Sequence, residues 1–323
     1  MSEDAATEKR TIVMPPNSIQ AVPRYAGAST FARLPRIDEV DRADVAVLGV
    51  PFDSGTSYRP GARFGPEAVR AASKLLRPFH IGLEVEPWVT MQIADAGDVG
   101  VSPFDIAAAI AGIEQAARSL STRADRIVAI GGDHTIALPM LRAAHAQHGP
   151  VALVHFDAHF DTWDNLFGAP MVHGTPFRRA VEEGLLDVGG SAHVGIRSTT
   201  PSAQDFTDDE ELGFATFTTL DVARRGGDAI VDRVRTRVGD RPVYVSIDID
   251  VLDPAHAPGT GTPEPGGLST RELQLILYGL ADLHVIGADV VEVAPAYDHA
   301  QITALAAAGV TFDLLAMMAK ASR

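Results

Sequence analysis

The sequence of 323 residues contains no cysteine. The chain therefore forms no disulfides, offers no thiolate nucleophile, and cannot hold zinc or an iron–sulfur cluster through sulfur. Acidic residues also outnumber basic ones, and the formal net charge is −15. Because phosphate binding needs clustered Lys and Arg, this surface predicts no nucleic-acid partner, whereas a small cationic substrate would be weakly attracted.

Targeting and membrane segments are missing from the sequence pattern as well. The first ten residues, MSEDAATEKR, do not show the basic and then apolar pattern of a secretory signal. The most apolar late stretch, 302–318, is interrupted by Asp313 and rich in Ala, which is typical of a buried helix and not of a membrane span. We therefore expect a cytoplasmic protein without a membrane partner.

What is present is the composition of an ordinary folded protein, with 46% hydrophobic and 21% charged residues. Prolines near the N-terminus predict an extended surface arm over residues 1–43. These prolines are Pro15, Pro16, Pro23 and Pro35. The remainder shows neither a repeat nor a break in composition, so residues 44–323 are predicted to form a single domain.

Short apolar runs alternate with amphipathic stretches along this domain. The runs predict strands at 45–50, 126–130, 151–156, 243–249 and 285–293. The amphipathic stretches predict helices at 66–77, 103–120, 138–147 and 176–185. Two more helices are expected, one after the capping box Ser269–Glu272 and one after Asp298 with Gln301. Buried strands that are each followed by a helix indicate an α/β fold with a parallel sheet covered on both faces.

Acids and histidines follow four of the predicted strands at the point where each strand ends. These residues are His134, Asp157, His159, Asp161, Asp248, Asp250 and Glu292. Side chains in a strand alternate with period two, and the carboxyl ends of parallel strands meet at one edge of the sheet. We therefore expect these side chains to converge on one site.

A cluster of carboxylates indicates bound cations, because close carboxylates repel and raise each other's pKa. Six residues are candidate metal ligands, namely His134, Asp157, His159, Asp161, Asp248 and Asp250. Their four carboxylates carry −4 and two divalent ions carry +4, which favours a two-metal centre over a single ion. The oxygen-rich set favours Mn(II), with Ni(II) or Co(II) as alternatives. Two ions about 3.5–4 Å apart can share a hydroxide that exists at neutral pH.

Other polar residues near the strand ends receive structural interpretations. His155 shares the alternation but is expected to pack or hydrogen-bond within its strand. Asp133 is expected to cap the helix that follows it. The glycine-rich stretch 259–267 does not join a strand directly to a helix N-terminus, so a dinucleotide site is not expected there.

Six different short motifs follow one another along the chain. They are AIGGDHT (129–135), HFDAHFDT (155–162), HGTPFR (173–178), SIDIDVLDP (246–254), PGTGTPEPGG (258–267) and VEVAPAYD (291–298). In order and spacing the chain resembles the ureohydrolase family, the arginases, agmatinases and relatives that hydrolyse guanidino groups to urea. Agmatinase-like members resemble it most, through GTSYRPGARFGP (55–66) and DHAQITALAAA (298–308).

The resemblance implies a fold, a cofactor and an assembly. The fold would be a three-layer α/β/α sandwich around a mostly parallel eight-stranded sheet, and 44–323 would be the catalytic domain. Each chain would bind two Mn(II) ions and assemble into a homotrimer or homohexamer. The resemblance assigns one ion to His134, Asp157, Asp161 and Asp248. It assigns the other to Asp157, His159, Asp248 and Asp250, so that two of the aspartates would bridge.

The resemblance also implies catalytic roles for three residues. Glu292 would receive the substrate guanidinium through charge-assisted hydrogen bonds. Asp161 would accept the proton of the attacking hydroxide and pass it on, while His173 would exchange protons with solvent. The products would be urea and an amine.

The substrate most consistent with the resemblance is agmatine, giving putrescine and urea in polyamine metabolism. The loop 162–172 lacks the arginase pattern for gripping an amino acid, which argues against arginine. Guanidinobutyrate, other guanidino acids, guanidine and biguanides are the alternatives. Two candidate contacts for the substrate tail are Asp164, which would face an amine, and Arg197, which would face a carboxylate.

Three other functions are weighed against this one. A single-zinc deacetylase of related fold would leave Asp161 and Asp250 without a role. A non-catalytic partner subunit would usually have lost ligands, and here all six are present. A two-metal phosphatase would need an Arg or Lys clamp for phosphate, and the sequence shows no obvious one.

Overall fold

The computed structural model describes residues 12–14 and 23–322, and within them the chain forms one sheet. Its strands are β1 (Ala43–Val50), β2 (Ile93–Asp98), β3 (Ala124–Gly131), β4 (Ala152–Phe156), β5 (Ala192–Ile196), β6 (Ala215–Thr218), β7 (Val243–Asp248) and β8 (Val285–Val291). They lie in the order β2-β1-β3-β8-β7-β4-β5-β6, and every neighbouring pair is parallel.

Helices cover both faces of this sheet. They are α1 (Gly65–Ser73), α2 (Pro87–Thr90), α3 (Ile106–Leu120), α4 (Ala137–His148), α5 (Pro176–Glu182), α6 (Gln204–Leu212), α7 (Thr219–Arg225), α8 (Gly227–Val238), α9 (Thr270–Gly279) and α10 (Ile302–Ala321). Helices α1, α10, α9 and α8 pack in sequence in one layer, and α3, α4 and α5 pack in the other. The result is the three-layer α/β/α sandwich with eight strands that the sequence resemblance implied.

The central strands are buried along their whole length because helices cover both of their faces. Every residue of β4, β7 and β8 is buried. Burying one Val, Leu or Ile side chain contributes about 1.5–3 kcal/mol. These strands therefore form the stable base from which their carboxyl ends project polar side chains.

Most predicted elements are confirmed, with shifted ends. The predicted helix 66–77 ends at Ser73, and the predicted helix 103–120 begins only at Ile106, with Asp105 as its N-cap. The capping box at Ser269 is present. The capping box predicted at Asp298 with Gln301 is wrong, because Gln301 adopts a left-handed conformation. Asp298 instead accepts hydrogen bonds from the amides of Thr303 and Ala304.

Helix α10 is long and apolar enough to span a membrane, with 20 residues and a mean hydropathy of 1.8. However, 83% of that apolar stretch is buried inside the protein, which is the behaviour of a core helix. Its buried Asp313 hydrogen-bonds His80 at 2.8 Å and Gln274 at 3.2 Å. A buried carboxyl group needs such partners because losing water without them is costly.

Residues 1–11 and 15–22 of the predicted N-terminal arm lie outside the described residues. In its described part, Phe31 and Leu34 are buried against the domain. The amide of Phe31 donates to Asp95 Oδ2 at 2.6 Å, and Arg70 pairs with the same carboxylate. The arm over 1–43 stays a prediction as a whole.

Gly132 lies where β3 ends, pressed against the chain that leaves β1. Its amide donates to Val50 O, and its own carbonyl accepts from the amide of Glu292 at 2.8 Å. A Cβ here would overlap Phe52 O and lie 2.7 Å from Val50 O. Only glycine therefore allows these strand ends to meet.

We expect Gly132→Ala to lower the free energy of unfolding by about 1–3 kcal/mol, because the added methyl group must push backbone apart. Denaturant unfolding measures this loss. Gly100→Ala is the matched control, since a Cβ there meets nothing within 4 Å. Equal stability of the two variants would contradict the close approach.

Candidate metal centre

The residues predicted to form the site come from four strands that are neighbours in the sheet. The strands β3, β8, β7 and β4 are contiguous in its centre. The chain leaves β3 for the other half of the sheet and returns through β7 and β8, which creates a crevice at their carboxyl ends. His134 begins a short 3₁₀ turn after β3, and Asp248 ends β7.

A first group of atoms surrounds His134, whose side chain is fully buried. Its Nδ1 lies 2.9 Å from Asp161 Oδ2, 3.2 Å from Asp157 Oδ2 and 3.5 Å from Asp248 Oδ2. Three carboxylates from two strand ends thus face one imidazole nitrogen. The nitrogen makes no aligned hydrogen bond within the described part of the chain.

A second group surrounds His159. Its Nδ1 lies 3.2 Å from both Asp157 Oδ1 and Asp250 Oδ2. The two oxygens of Asp157 therefore face the two groups, one each. Asp248 and Asp250 are held relative to each other because Asp248 Oδ1 accepts from the amide of Asp250 at 2.8 Å.

The electrostatics of these groups fit bound cations. Burial raises the pKa of Asp250, and the charge of Asp157 raises it further, to about 6. Burial, and then the charges of Asp250 and Asp157, hold the pKa of Asp248 well above its usual range. Carboxylates are therefore costly here without positive charge beside them. Histidine nitrogens and carboxylate oxygens that converge in this way are a suitable ligand set for divalent metals.

The backbone turns sharply at two of the predicted site residues. Asp161 and Glu292 have φ of 55° and 65°, in the left-handed region. This conformation costs a residue other than glycine roughly 1–2 kcal/mol. The packing of the neighbouring strands offsets this strain. The turn directs each carboxylate toward the ends of the strands.

Glu292 joins the two groups around His134 and His159, called the metal groups below, to His173. Its Oε1 accepts from the amide of His134 and from His173 Nδ1, both at 3.0 Å. Its Oε2 is buried and has no hydrogen-bond partner among the described residues. One buried carboxylate oxygen is thus fixed in place with its hydrogen-bonding capacity unused.

His173 is held at both ring nitrogens. Its Nε2 accepts from the amide of Ser57 at 3.1 Å, and Nδ1 faces Glu292, which together describe the neutral ring with its proton on Nδ1. Burial alone would lower the pKa of His173, but Glu292, then Asp161 and Asp133, raise it to about 9. Cations bound beside these carboxylates would offset their charge, which brings the ring toward the neutral form that the hydrogen bonds require.

A cleft of about 530 Å³ opens onto these groups. Its lining residues are Ser57, His159, Phe160, Asp161, Trp163, His173, Gly174, Ser198, Thr200, Asp248 and Thr262. The indole nitrogen of Trp163 donates to Asp205 on α6 at 2.9 Å, and Phe160 packs edge-on against Phe206 of the same helix. Helix α6 therefore fixes the aromatic wall of the cleft.

The two predicted contacts for the substrate tail, Asp164 and Arg197, bind other groups of the protein. Asp164 is largely exposed and pairs with Arg179 at 2.9 Å. Arg197 donates to backbone carbonyls that include those of Asp250 and Glu264, both at 2.6 Å. Neither side chain lines the cleft, and Arg197 instead fastens the loop after β7 to β5.

Two residues given structural interpretations lie close to the site. Asp133 caps its turn as expected, and its second oxygen accepts from the amide of Gly55 at 2.7 Å. His155 is fully buried, and its Nε2 contacts Asp157 Oδ2 at 2.9 Å. The alternation along β4 was the only sequence signal that could have marked His155.

Comparisons with known proteins match almost the whole domain. The matching family model, over residues 43–317, is described as the Arginase family. A putative agmatinase 1 from Schizosaccharomyces pombe is 43% identical, covering 93% of this chain and 84% of its own length. A guanidinobutyrase from Pseudomonas aeruginosa is 42% identical, covering 92% and 94%. The solved structure of proclavaminate amidinohydrolase from Streptomyces clavuligerus superimposes with a TM-score of 0.89 at 43% identity, covering 93% and 100%.

We expect divalent ions to stabilise metal-depleted protein, and more so as the pH rises. The folded protein holds protons on Asp248 and Asp250 that the unfolded chain, with a pKa of 3.8, has released. The free energy of unfolding without metal should therefore fall as the pH rises from about 4 through about 6. Metal ions replace those protons, so their stabilisation grows over the same window.

Thermal unfolding with and without added Mn(II), across this pH range, measures both effects. Asp250→Ala should weaken the stabilisation by the metal, because it removes a carboxylate from the second group. Midpoints that do not respond to the metal at any pH would contradict a metal centre.

Proposed function

This chain belongs to the arginase family, the ureohydrolases, and we propose that its own reaction is the hydrolysis of agmatine to putrescine and urea. The observation that carries this proposal is the buried, unpaired Glu292 Oε2 at the edge of the metal groups. A buried anionic oxygen with no partner among the described residues is a fitting acceptor for a planar cation. A guanidinium offers N–H donors on one edge, and such charge-assisted hydrogen bonds are strong and directional.

The six histidine and aspartate side chains would hold two divalent ions. His134, Asp157, Asp161 and Asp248 are the proposed ligands of one ion. Asp157, His159, Asp248 and Asp250 are those of the other. We propose Mn(II), because the set is rich in carboxylate oxygen, with Ni(II) or Co(II) as substitutes. A pair of such ions supplies water acidic enough to act as a nucleophile at neutral pH.

The protein's own groups would orient the substrate and move protons. Glu292 Oε2 accepts from the guanidinium and fixes its plane, while Glu292 Oε1 stays bonded to His173 Nδ1 at 3.0 Å. Asp161 would take the proton that the attacking water loses. His173, which borders the open cleft, exchanges protons with solvent so that the amine leaves protonated.

The outer cleft suits the cationic tail of agmatine better than a carboxylate tail. No Lys or Arg is among the described residues that line it. Its wall offers the aromatic side chains of Trp163 and Phe160, and an ammonium group near an aromatic face gains about 0.5–2 kcal/mol. Guanidino acids are the second candidate. The hydroxyl groups of Ser57, Ser198 and Thr200 line the cleft and favour guanidino acids, because hydroxyl groups donate hydrogen bonds to a carboxylate.

The remaining proposals do not depend on the geometry of the site. We propose a homotrimer or homohexamer, a cytoplasmic location and a role in polyamine metabolism. The catalytic domain is proposed to span residues 44–323, with 1–43 as an arm outside it.

We expect urea release from agmatine, with Mn(II) added, to exceed that from guanidinobutyrate, guanidinopropionate, arginine and guanidine. The reason is the aromatic cleft without a basic residue among its described lining. A urea assay across this panel measures kcat/KM for each compound. A preference for guanidinobutyrate would replace agmatine with the second candidate, and no urea from any compound would contradict the proposed function.

Two neighbouring residues provide a matched test of the tail contact. Trp163→Ala should raise the KM for agmatine about 10-fold, since a lost contact of about 1.4 kcal/mol is a factor of ten. Asp164→Asn should leave KM unchanged, because its carboxylate faces Arg179 and the solvent. An unchanged KM for Trp163→Ala together with a raised KM for Asp164→Asn would instead indicate that Asp164 contacts the substrate tail.

Glu292→Gln should lower kcat/KM about 100-fold or more, because it removes the charge aimed at the guanidinium while keeping the shape of the side chain. Metal content and thermal unfolding should be measured alongside, so that a lost ion or an unfolded variant is recognised. A folded, metal-loaded variant with full activity would exclude Glu292 as the guanidinium acceptor.

A further inference from the structure

Gly261, in the loop after β7, lies beside the unpaired carboxylate oxygen of Glu292. A Cβ atom on Gly261 would stand 3.2 Å from Glu292 Oε2 and 3.3 Å from the carbonyl oxygen of Arg59. The methyl group of Thr56 lies 3.7 Å from the same point. Gly261 is buried, and the next residue, Thr262, lines the cleft. The space left by the missing side chain is therefore bordered by the oxygen that we assign to the substrate guanidinium.

The local structure does not itself require a glycine at this position. The φ of Gly261 does not lie in the left-handed region, so this angle is open to other residues. The nearest atom to its Cβ would be 3.2 Å away, which small shifts can accommodate, whereas a Cβ on Gly132 would overlap Phe52 O. Glycine is also the residue that lets a ligand approach the backbone closely, and this use fits a position beside Glu292.

The carbonyl group of Arg59 is a second acceptor at the same space. The guanidinium of Arg59 packs over the rings of Tyr58 and Tyr297, 5.4 Å and 5.3 Å from their centroids. The contact with Tyr297 ties the loop that carries this carbonyl group to the turn after β8. A terminal NH2 group of a guanidinium has two N–H donors, and the space offers two acceptor oxygens.

We propose that Gly261 is a specificity-determining residue, which keeps Glu292 Oε2 open to one terminal NH2 group of the substrate guanidinium. A methyl group on Gly261 would contact this oxygen and exclude the NH2 group from it. A substituent on the NH2 group would be excluded for the same reason. The substrates are therefore guanidines whose terminal nitrogens carry only hydrogen. This inference rests on the proposed function, because it concerns the same guanidinium site.

The first experiment compares agmatine with its formamidine analogue, N-(4-aminobutyl)formamidine. The analogue carries a hydrogen atom where agmatine has one terminal NH2 group. Water converts agmatine into urea and putrescine, and it converts the analogue into formamide and putrescine. Release of putrescine therefore measures kcat/KM for both compounds in Mn(II)-loaded protein.

Gly261→Ala should lower kcat/KM for agmatine about 10–100-fold, which is the value of one hydrogen bond to a charged group. The loss for the formamidine should be at least 10-fold smaller, because its C–H group can face the added methyl group. Gly112→Ala on α3 is the matched control, since its Cβ would also have a neighbour at 3.2 Å, Val101 Cγ1, outside the lining of the cleft. The control should leave both values unchanged.

The second experiment uses the unaltered protein. N′,N″-dimethylagmatine carries a methyl group on each terminal nitrogen, so neither nitrogen can reach Glu292 Oε2 without a substituent. We expect it to release no putrescine and to inhibit agmatine hydrolysis with an inhibition constant at least 10-fold above the KM for agmatine.

Three results would overturn the role of Gly261. The first is a folded, metal-loaded Gly261→Ala variant whose kcat/KM for agmatine is within about twofold of the wild type. The second is an equal loss for agmatine and the formamidine, which would indicate a general distortion of the site. The third is binding of dimethylagmatine as tight as that of agmatine.

A binding measurement separates this inference from the proposed function. If the wild-type protein releases no urea from any guanidino compound, the proposed function fails. Isothermal titration calorimetry with guanidinium chloride, on Mn(II)-loaded wild type and Gly261→Ala, then decides the inference alone. Binding at least 10-fold weaker in the variant would support it, and equal binding would overturn it.

Discussion

The repulsion among buried carboxylates is the constraint on which this structure depends. Four aspartates and Glu292 are brought together where water is largely excluded. Burial first, and then the charges of neighbouring carboxylates, raise the pKa values of Asp248 and Asp250. A sheet whose strands were less firmly packed would move these groups apart. The fully buried strands β4, β7 and β8 resist that movement, so the cluster remains open to cations rather than relaxing.

The metal groups could be predicted from the sequence because their signal is local. Asp157, His159 and Asp161 alternate within five residues, and the apolar run before them marks a strand. That the segments would meet follows from parallel strands that end at one edge of the sheet. The order of the strands, with β8 and β7 between β3 and β4, does not follow from any local pattern.

The parts that escaped prediction depend on contacts between distant segments. The strands β5 and β6 are short, with five and four residues, and their sequences show no long apolar run. Without them, His193 and helix α6 had no predicted place beside the site. Similarly, Asp164 and Arg197 have the charges expected of tail contacts, but their partners Arg179 and the carbonyl groups after β7 become visible only in three dimensions.

Helix α6 contacts two side chains near the site through aspartates that lie one helical turn apart. Asp205 accepts a hydrogen bond from the indole of Trp163, and Asp209 lies 3.2 Å from the buried His193. Engineering a new tail preference by reshaping this helix would therefore also disturb the packing of His193 against His155, beside the metal groups. Substitutions at Ser198 and Thr200, on the chain that leaves β5, offer a route to altered selectivity that leaves both anchors intact.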